Sequence, residues 1–153
     1  PVIAYSMELA AVITDLGGSP IALSPDGSRL VMASQTPEDP QVRLYVRALD
    51  GSSATVLANT ENTVQPFFSP DGAWVAYWAN GALRKVSIAG GSVQQLASVS
   101  GGFQGGSWGP NGDIIYASNG ILYRTTAEGG AVDTLLRDST ASYRWPEILP
   151  DGK

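Results

Sequence analysis

Residues 67–77 read Phe67-Phe68-Ser69-Pro70-Asp71-Gly72-Ala73-Trp74-Val75-Ala76-Tyr77, a tight turn between two runs of strand-forming residues. In such a turn Pro presets the backbone angle φ, Asp tolerates the next position and Gly supplies a left-handed exit, which together favour a β-hairpin. The same turn recurs at near-constant spacing, with its prolines at positions 25, 70, 110 and 150. We predict that all four are structural turns: Pro25-Asp26-Gly27, Pro70-Asp71-Gly72, Pro110-Asn111-Gly112 and Pro150-Asp151-Gly152.

The residues around each turn repeat as well. An apolar residue precedes every turn, and the first three turns are each followed by two β-rich runs, a small Gly-containing turn and a last short run. Each repeat of about forty residues therefore predicts four short antiparallel strands, which is the pattern of a β-propeller blade. Because no window shows a sustained helical period of apolar residues, the fold class is predicted to be all-β.

The motif at 67–77 resembles the TolB-like, Pro-Asp-Gly class of WD-like β-propeller repeats. The wider segments 45–51, 83–91 and 143–152 look closest to the propellers that follow the kinase domain in bacterial serine/threonine protein kinases. The chain itself carries no kinase signature. The resemblance covers residues 21–152 and implies a propeller fold and a periplasmic or other extracytoplasmic location. It implies no single function, because such repeats occur in scaffolds, sensors and peptidase propellers.

The spacing divides the chain into three complete blades and two partial ones. We place the complete blades at residues 18–58, 59–98 and 99–138, and the start of a fourth at 139–153. Residues 1–17 are an N-terminal strand segment without a repeat of its own, and they are a candidate for the strand that closes the ring. Because exposed strand edges invite pairing, we expect either a fragment of a propeller of about six to eight blades or a homo-oligomer that closes the ring between subunits.

The residue types that the chain lacks exclude whole classes of chemistry. It has no His and no Cys, which removes His-dependent nucleophilic catalysis, the common zinc sites and thiol redox work. Nine Lys and Arg against 14 Asp and Glu give a net charge of −5, a poor match for nucleic acid. No apolar run is long enough for a transmembrane helix. We therefore predict no enzyme activity, no cofactor, no metal, no nucleic-acid partner and no insertion into a membrane.

The loops that enter the innermost strand of each blade lie at the mouth of a propeller's axial channel, where ligands commonly bind. These loops span residues 59–65, 98–104 and 139–144. Because loops on a rigid scaffold often carry function, we predict that their polar residues contact a ligand or partner. They are Glu61, Asn62, Gln65, Gln104, Tyr143 and Arg144. The alternative is that these are solvated loop residues with no ligand.

Three further features have both a functional and a structural interpretation. Asp26, Asp71 and Asp151 occupy equivalent positions that suggest a metal ring, but their place in turns favours hydrogen bonds to the backbone. The glycine pair at 105–106 is expected to let an innermost strand crowd the axis rather than to hold a phosphate. The four Trp residues are expected at contacts between blades, with Trp145 also a candidate stacking platform.

We expect the function to be binding without chemistry. The first hypothesis is a non-catalytic propeller module that binds a protein or a small ligand, as the sensor or scaffold part of a larger TolB-like or kinase-linked protein. The alternative is the propeller domain of a hydrolase, either a peptidase or a carbohydrate-active enzyme, whose catalytic domain lies outside this sequence. A purely structural repeat array is a third interpretation, and it predicts no ligand.

Overall fold

The computed structural model describes residues 18–51 and 53–149. The predicted strand segment at 1–17 and the fourth turn, Pro150-Asp151-Gly152, lie outside the described residues, and so does the predicted closure of the ring. Within the described ranges the chain forms twelve β-strands and no helix. The prediction of an all-β fold is confirmed.

The strands form three antiparallel sheets of four, and each sheet follows the order of the chain. Blade A contains β1 (Ile21–Leu23), β2 (Arg29–Ser34), β3 (Arg43–Ala48) and β4 (Ala54–Val56). Blade B contains β5 (Val64–Phe68), β6 (Trp74–Ala79), β7 (Ala82–Ser87) and β8 (Gln94–Ser98). Blade C contains β9 (Phe103–Trp108), β10 (Asp113–Ser118), β11 (Ile121–Thr126) and β12 (Asp133–Leu136).

The first strands of the blades lie side by side. Strand β5 contacts β1, β2 and β9, and further out β8 of blade B approaches β11 of blade C. The blades therefore radiate from a common axis, with β1, β5 and β9 innermost. This radial arrangement of four-stranded sheets is that of a partial β-propeller with three complete blades.

The hydrophobic core lies between the blades in two layers. One layer packs Val31 and Leu44 of blade A against Val75 and Tyr77 of blade B. The other packs a second set of blade B and blade C side chains: Leu83, Leu96, Ala97, Val99, Phe103, Ile114 and Tyr116. Because both faces of blade B are covered, its central strand reads Trp-Val-Ala-Tyr-Trp-Ala rather than alternating apolar and polar residues. Each fully buried aliphatic side chain in these layers contributes about 1.5–3 kcal/mol of transfer free energy.

The Pro-Asp-Gly turns of blades A and B are held by one network of hydrogen bonds. The Ser24 hydroxyl donates to Asp26 Oδ1 at 2.6 Å, and the Ser28 amide donates to the same oxygen at 3.0 Å. In blade B the Ser69 hydroxyl and the Ala73 amide donate to Asp71 Oδ1. These bonds lower the pKa of Asp26 to about 2 and also lower the pKa of Asp71. The structural interpretation of these two acids is thereby supported.

Blade C closes the equivalent turn with one residue fewer. The Ser69 amide bonds to the carbonyl of Trp74, five residues on, whereas the Gly109 amide bonds to the carbonyl of Asp113, four residues on. Neither Ser nor Asp is present in this turn, which reads Gly-Pro-Asn-Gly. Asp113 therefore takes the structural place of Trp74, a substitution that becomes important for the groove between blades B and C.

Two-residue hairpins join the middle strands of blades B and C at the end of each blade opposite the Pro-Asp-Gly turns. Asn80 and Asn119 have φ of 51°, and each is followed by Gly with φ of 76°. Both central residues are left-handed, which is the type I′ geometry that matches strand twist and favours Asn-Gly. These hairpin tips stand beside the loops that lead into β5 and β9, so they form part of the channel mouth.

Candidate binding site

Strands β5 and β9 and the segment after β12 carry a left-handed residue at one repeated position. Gln65, Gly105 and Trp145 lie five residues before the prolines at 70, 110 and 150, and their φ values are 52°, 93° and 54°. The pairing register of β5 with β6 and of β9 with β10 shifts at this point, which marks a β-bulge. A bulge changes the direction in which the neighbouring side chains point. Non-Gly residues with left-handed φ are strained, and such backbone strain is often found at functional sites.

The bulge brings the innermost strands into close contact across the axis. A Cβ built at Gly105 would stand 2.7 Å from Cε3 of Trp145, and one built at Gly106 would stand 2.8 Å from the ring of Phe67. Aromatic rings of the neighbouring segments therefore cover both glycines. This agrees with the expectation that the glycine pair lets β9 crowd the axis.

The inner strands enclose a cavity of about 600 Å³, which we call the axial cleft. Its wall is mostly apolar, with Leu23, Phe67, Trp108, Ile148 and Leu149 among its lining residues. Of the described residues that line it, Glu147 is the only one with a charged side chain. A largely apolar cleft with few polar groups is the usual composition of a binding site.

A smaller cavity of about 160 Å³ lies at the channel-mouth end of the same strands, lined by Ser19, Gln65, Pro66, Trp145 and Glu147 among others. Gln65 is 7% exposed, and its Nε2 donates to the carbonyl of Phe103 at 3.4 Å. Trp145 is 52% exposed. Gln65, one of the six predicted contact residues, therefore lines this cavity together with the indole that was predicted as a stacking platform.

The predicted residues Glu61 and Asn62 lie on the loop before β5, where each bonds to a neighbouring element. Arg43 forms ion pairs with Glu61 and with Asp39, the latter at 2.7 Å. This arginine ties the acidic loop between β2 and β3 to the entrance of blade B. Asn62 donates from Nδ2 to the Oδ1 of Asn80 at 3.1 Å, across the hairpin tip. Both side chains therefore have a structural partner.

The predicted residues Gln104, Tyr143 and Arg144 lie around the other hairpin tip. The Gly120 amide donates to the Gln104 side-chain Oε1 at 2.8 Å, and the Tyr143 amide donates to the Gly120 carbonyl at 3.0 Å. Arg144 is exposed. The structure thus groups Gln104 with Tyr143 at Gly120 and leaves Glu61 with Asn62 at blade B, so the six residues do not form one cluster.

The apolar cleft residues and Glu147 are the features that sequence reasoning missed. Two signals were available. The apolar residue that precedes each turn lines the cleft in all four repeats, and Phe67 and Glu147 each stand three residues before a repeat proline. Among residues 18–51 and 53–149 no three His, Cys, Asp or Glu side chains come together as metal ligands. The same described part of the chain holds no helix that is long and apolar enough to cross a membrane.

Comparison with known proteins identifies the fold. No family model matches the sequence, and neither does any curated protein. TolB from Acinetobacter baumannii superposes with a TM-score of 0.72 at 19% identity, over 88% of this chain and 36% of that one. Hydrazine synthase from Kuenenia stuttgartiensis has a TM-score of 0.68 at 23% identity, over 98% and 44%. The nidogen/laminin complex has a TM-score of 0.62 at 17% identity, over 82% and 51%.

The chain is therefore a β-propeller protein made of four-stranded antiparallel blades. Its fold is that of the TolB-like propellers, as the Pro-Asp-Gly repeats predicted. The chain spans between 36% and 51% of the length of the three structures named above. The particular likeness to kinase-linked propellers stays a prediction.

Proposed function

We propose that this chain is a non-catalytic recognition module that binds an extended segment of a protein partner in its axial cleft. The observation that carries the proposal is the cleft itself, an apolar cavity of about 600 Å³ bounded by the innermost strands. Leu23 and Leu149 line it and remain 55% exposed. Large apolar side chains that stay exposed beside a cleft are typical of an interaction site.

The shape of the cleft favours a peptide over a small ligand. It is bordered by the last two or three residues of each innermost strand, β1, β5 and β9, and by residues 146–149, so an extended segment that crosses the cleft can contact all three blades. The exposed indole of Trp145 lies at the mouth end and adds an aromatic surface. Glu147 places a single negative charge in the wall, which favours a neutral or basic segment over an acidic one.

The proposal includes the absence of catalysis and a location outside the cytoplasm. The first is supported by a sequence without His or Cys: the cleft is lined by apolar side chains, backbone groups, the Glu147 carboxylate and the Ser107 hydroxyl, which accepts from the Ile148 amide. The second is supported by the resemblance of the repeats to TolB-like propellers. A partner protein, rather than nucleic acid, is in keeping with the net charge of −5.

The experiment compares a cleft variant with a matched control on the same blade. Peptides are selected from a displayed random library on the wild-type chain, and their affinities are measured by calorimetry. Leu23→Glu places a charge in the cleft, whereas Val56→Glu changes another exposed apolar residue, on the outermost strand of blade A. We expect Leu23→Glu to weaken binding about tenfold or more and Val56→Glu to have little effect. Equal affinities for the two variants, or a failure to select any peptide, would remove the proposal.

The channel-mouth residues are tested with the same peptides. If the bound segment extends to the mouth, Gln65→Ala and Arg144→Ala each weaken binding by a few-fold, while both variants retain the wild-type unfolding temperature within about 2–4 °C. Unchanged affinity in both variants would confine the site to the apolar part of the cleft.

A second candidate is that the propeller belongs to an enzyme whose catalytic groups lie on another part of the protein. It is favoured by the likeness to hydrazine synthase, an enzyme of which this chain spans 44%. The alternative suggested by the sequence, the propeller domain of a hydrolase, is a case of the same arrangement, in which the propeller and the catalytic groups lie on different parts of the protein. Under this interpretation the isolated chain has no turnover, and peptide selection on the axial cleft fails.

A further inference from the structure

The groove between blades B and C contains a buried lysine. Lys85 on β7 is 5% exposed, and its Nζ lies 4.8 Å from the centre of the Trp74 ring. Among the described residues it forms an ion pair with Glu128 of blade C at 3.7 Å, a carboxylate whose side chain is 87% exposed. The Lys85 ammonium makes no hydrogen bond to a described residue and keeps some contact with solvent, so its N–H groups are open to a ligand.

The space next to Lys85 is large enough to hold a ligand. A cavity of about 430 Å³ opens between the two blades, at the end that carries the Pro-Asp-Gly turns. We call it the interblade groove, and the residues that matter for its chemistry are Asp71, Trp74, Lys85, Gln94, Trp108 and Glu128. It adjoins the axial cleft, with which it shares Pro70, Trp108 and Pro110 as lining residues.

The same position in the other blades shows that the propeller fold does not require a lysine here. Strand pairing makes Lys85 of β7 equivalent to Val46 in blade A, where the valine packs on the apolar core. In blade C the equivalent residue is Arg124, which bonds to Asp113 at 3.0 Å. Blade B has Trp74 where blade C has Asp113, so its cation rests on an aromatic ring instead of a carboxylate.

The groups around the groove define the kind of ligand. Lys85 supplies hydrogen-bond donors, whereas Asp71 and Glu128 supply acceptors, and Trp108 adds an apolar ring. One positive and two negative charges leave the groove with a net charge of −1, so an anion would meet two carboxylates and a free cation would meet an ammonium group. A sugar ring suits this mixture, because it has an apolar C–H face and a rim of hydroxyls that donate and accept.

We infer that the interblade groove is a binding site for a neutral sugar residue. The ring packs against Trp108, one hydroxyl accepts from Lys85 Nζ, and another donates to Glu128 or Asp71. Gln94 spans the groove already, since its Nε2 donates to the backbone carbonyl of Glu128 at 3.1 Å, and it holds the two blades at the spacing the ligand needs. The ring of Trp74 keeps the lysine in place, because an ammonium over an indole face is attracted by its quadrupole.

The test uses the indole N–H signals of the four Trp residues in the nitrogen-15 NMR spectrum. The probes are the methyl glycosides of glucose, galactose, mannose and N-acetylglucosamine, with methyl glucuronide and inorganic phosphate as anionic controls. We expect at least one neutral glycoside to shift the Trp74 and Trp108 signals saturably while the Trp145 signal stays in place. No shift with any of the four glycosides, or tighter binding of either anion, would overturn the inference. So would a shift confined to Trp145, since that ring belongs to the mouth of the axial cleft.

Matched variants then connect the shifts to Lys85. Lys85→Met should weaken the best glycoside about tenfold or more, and Arg124→Met, at the equivalent position of blade C, should leave it unchanged. Equal binding by Lys85→Met and the wild type would overturn the inference.

If Lys85→Met does not fold, Glu128→Ala replaces it as the test variant, because the Glu128 side chain is highly exposed. This variant should weaken binding about fivefold, and unchanged affinity would again be a contradiction. Leu23→Glu in the axial cleft should have no effect, which keeps this result separate from the proposed function.

Discussion

The indole of Trp145 lies directly on the backbone of Gly105. A Cβ built at Gly105 would stand 2.7 Å from Cε3 and 3.2 Å from Cα of Trp145. Both residues have positive φ. Two left-handed residues at the same repeat position, 40 residues apart, thus fit against each other where successive inner segments meet. The contact explains why one of them must be Gly, and it also explains how an exposed Trp is held in a defined place beside the cleft.

Gly105→Ala is expected to destabilise the fold by about 2–4 kcal/mol, because the methyl group meets Trp145 and Ala is strained at φ of 93°. Gly130→Ala is the matched control: its φ is 108° and nothing lies within 4 Å of an added Cβ. That control should cost only the backbone strain, about 1–3 kcal/mol. Urea unfolding measures both variants. A Gly105→Ala variant no less stable than Gly130→Ala would show that the contact with Trp145 is not tight.

The turn carboxylate of Asp26 predicts a dependence of stability on acid. Its folded pKa is about 2 because the Ser24 hydroxyl and the Ser28 amide and hydroxyl donate to it, against an ordinary value of 3.8. A folded pKa below the unfolded one contributes stability above about pH 4, and this stability is lost as the pH falls toward 2. The difference in urea midpoint between wild type and Asp26→Asn should therefore be largest above pH 4 and shrink toward pH 2. A difference that stays constant from pH 6 to pH 2 would contradict the network.

Tyr77 is fully buried, and its hydroxyl has no hydrogen-bond partner among the described residues. Burial also raises the pKa of this phenol to about 12. Because an unpaired buried hydroxyl costs free energy, Tyr77→Phe should leave stability unchanged or raise it by up to about 1 kcal/mol. Tyr77→Leu, which leaves a cavity, should lower stability by about 2 kcal/mol or more. Thermal unfolding of the two variants checks this, and a destabilised Tyr77→Phe would reveal a partner for the hydroxyl.

Gln104 is predicted to hold the hairpin tip of blade C through its acceptor oxygen. Gln104→Ala leaves the Gly120 amide without the 2.8 Å bond, so stability should fall by about 1 kcal/mol and hydrogen exchange at Gly120 should become faster. Gln104→Glu keeps an acceptor at this site and should retain slow exchange. If exchange at Gly120 is unchanged in Gln104→Ala, then the side chain is free to contact a ligand instead.

Much of the fold could be predicted because its signals are local. The turns at Pro25, Pro70 and Pro110 require particular backbone angles, and only a few residue types supply them at low cost. The runs between them are long enough for a strand and too short for a helix, and the period of about forty residues then predicts the blade. A detail that the repeat did not predict is the length of the turn at Asn111, which is one residue shorter than its relatives and shifts Asp113 into the place of Trp74.

The candidate site was less predictable, because its members meet across blades. The channel-mouth prediction identified polar loop residues, yet Glu61 is paired with Arg43 and Gln104 is bonded to Gly120. Neither partner is visible in a loop considered alone. Arg84 and Lys85 point to opposite faces of a strand that is covered on both sides, so each faces a neighbouring blade, but the sequence does not indicate what either side chain would meet.

The amino-acid order alone therefore specified the turns, the repeat and the all-β class. The turns depend on residues within about five positions of each other, and the spacing of the turns along the chain gives the repeat. The tertiary structure alone decided which side chains face the axis and which face a neighbouring blade. The contact of Trp145 with Gly105 and the burial of Lys85 beside Trp74 and Glu128 arise when segments about forty residues apart pack together. Packing between distant segments creates these environments, so no local pattern could have disclosed the cleft or the groove.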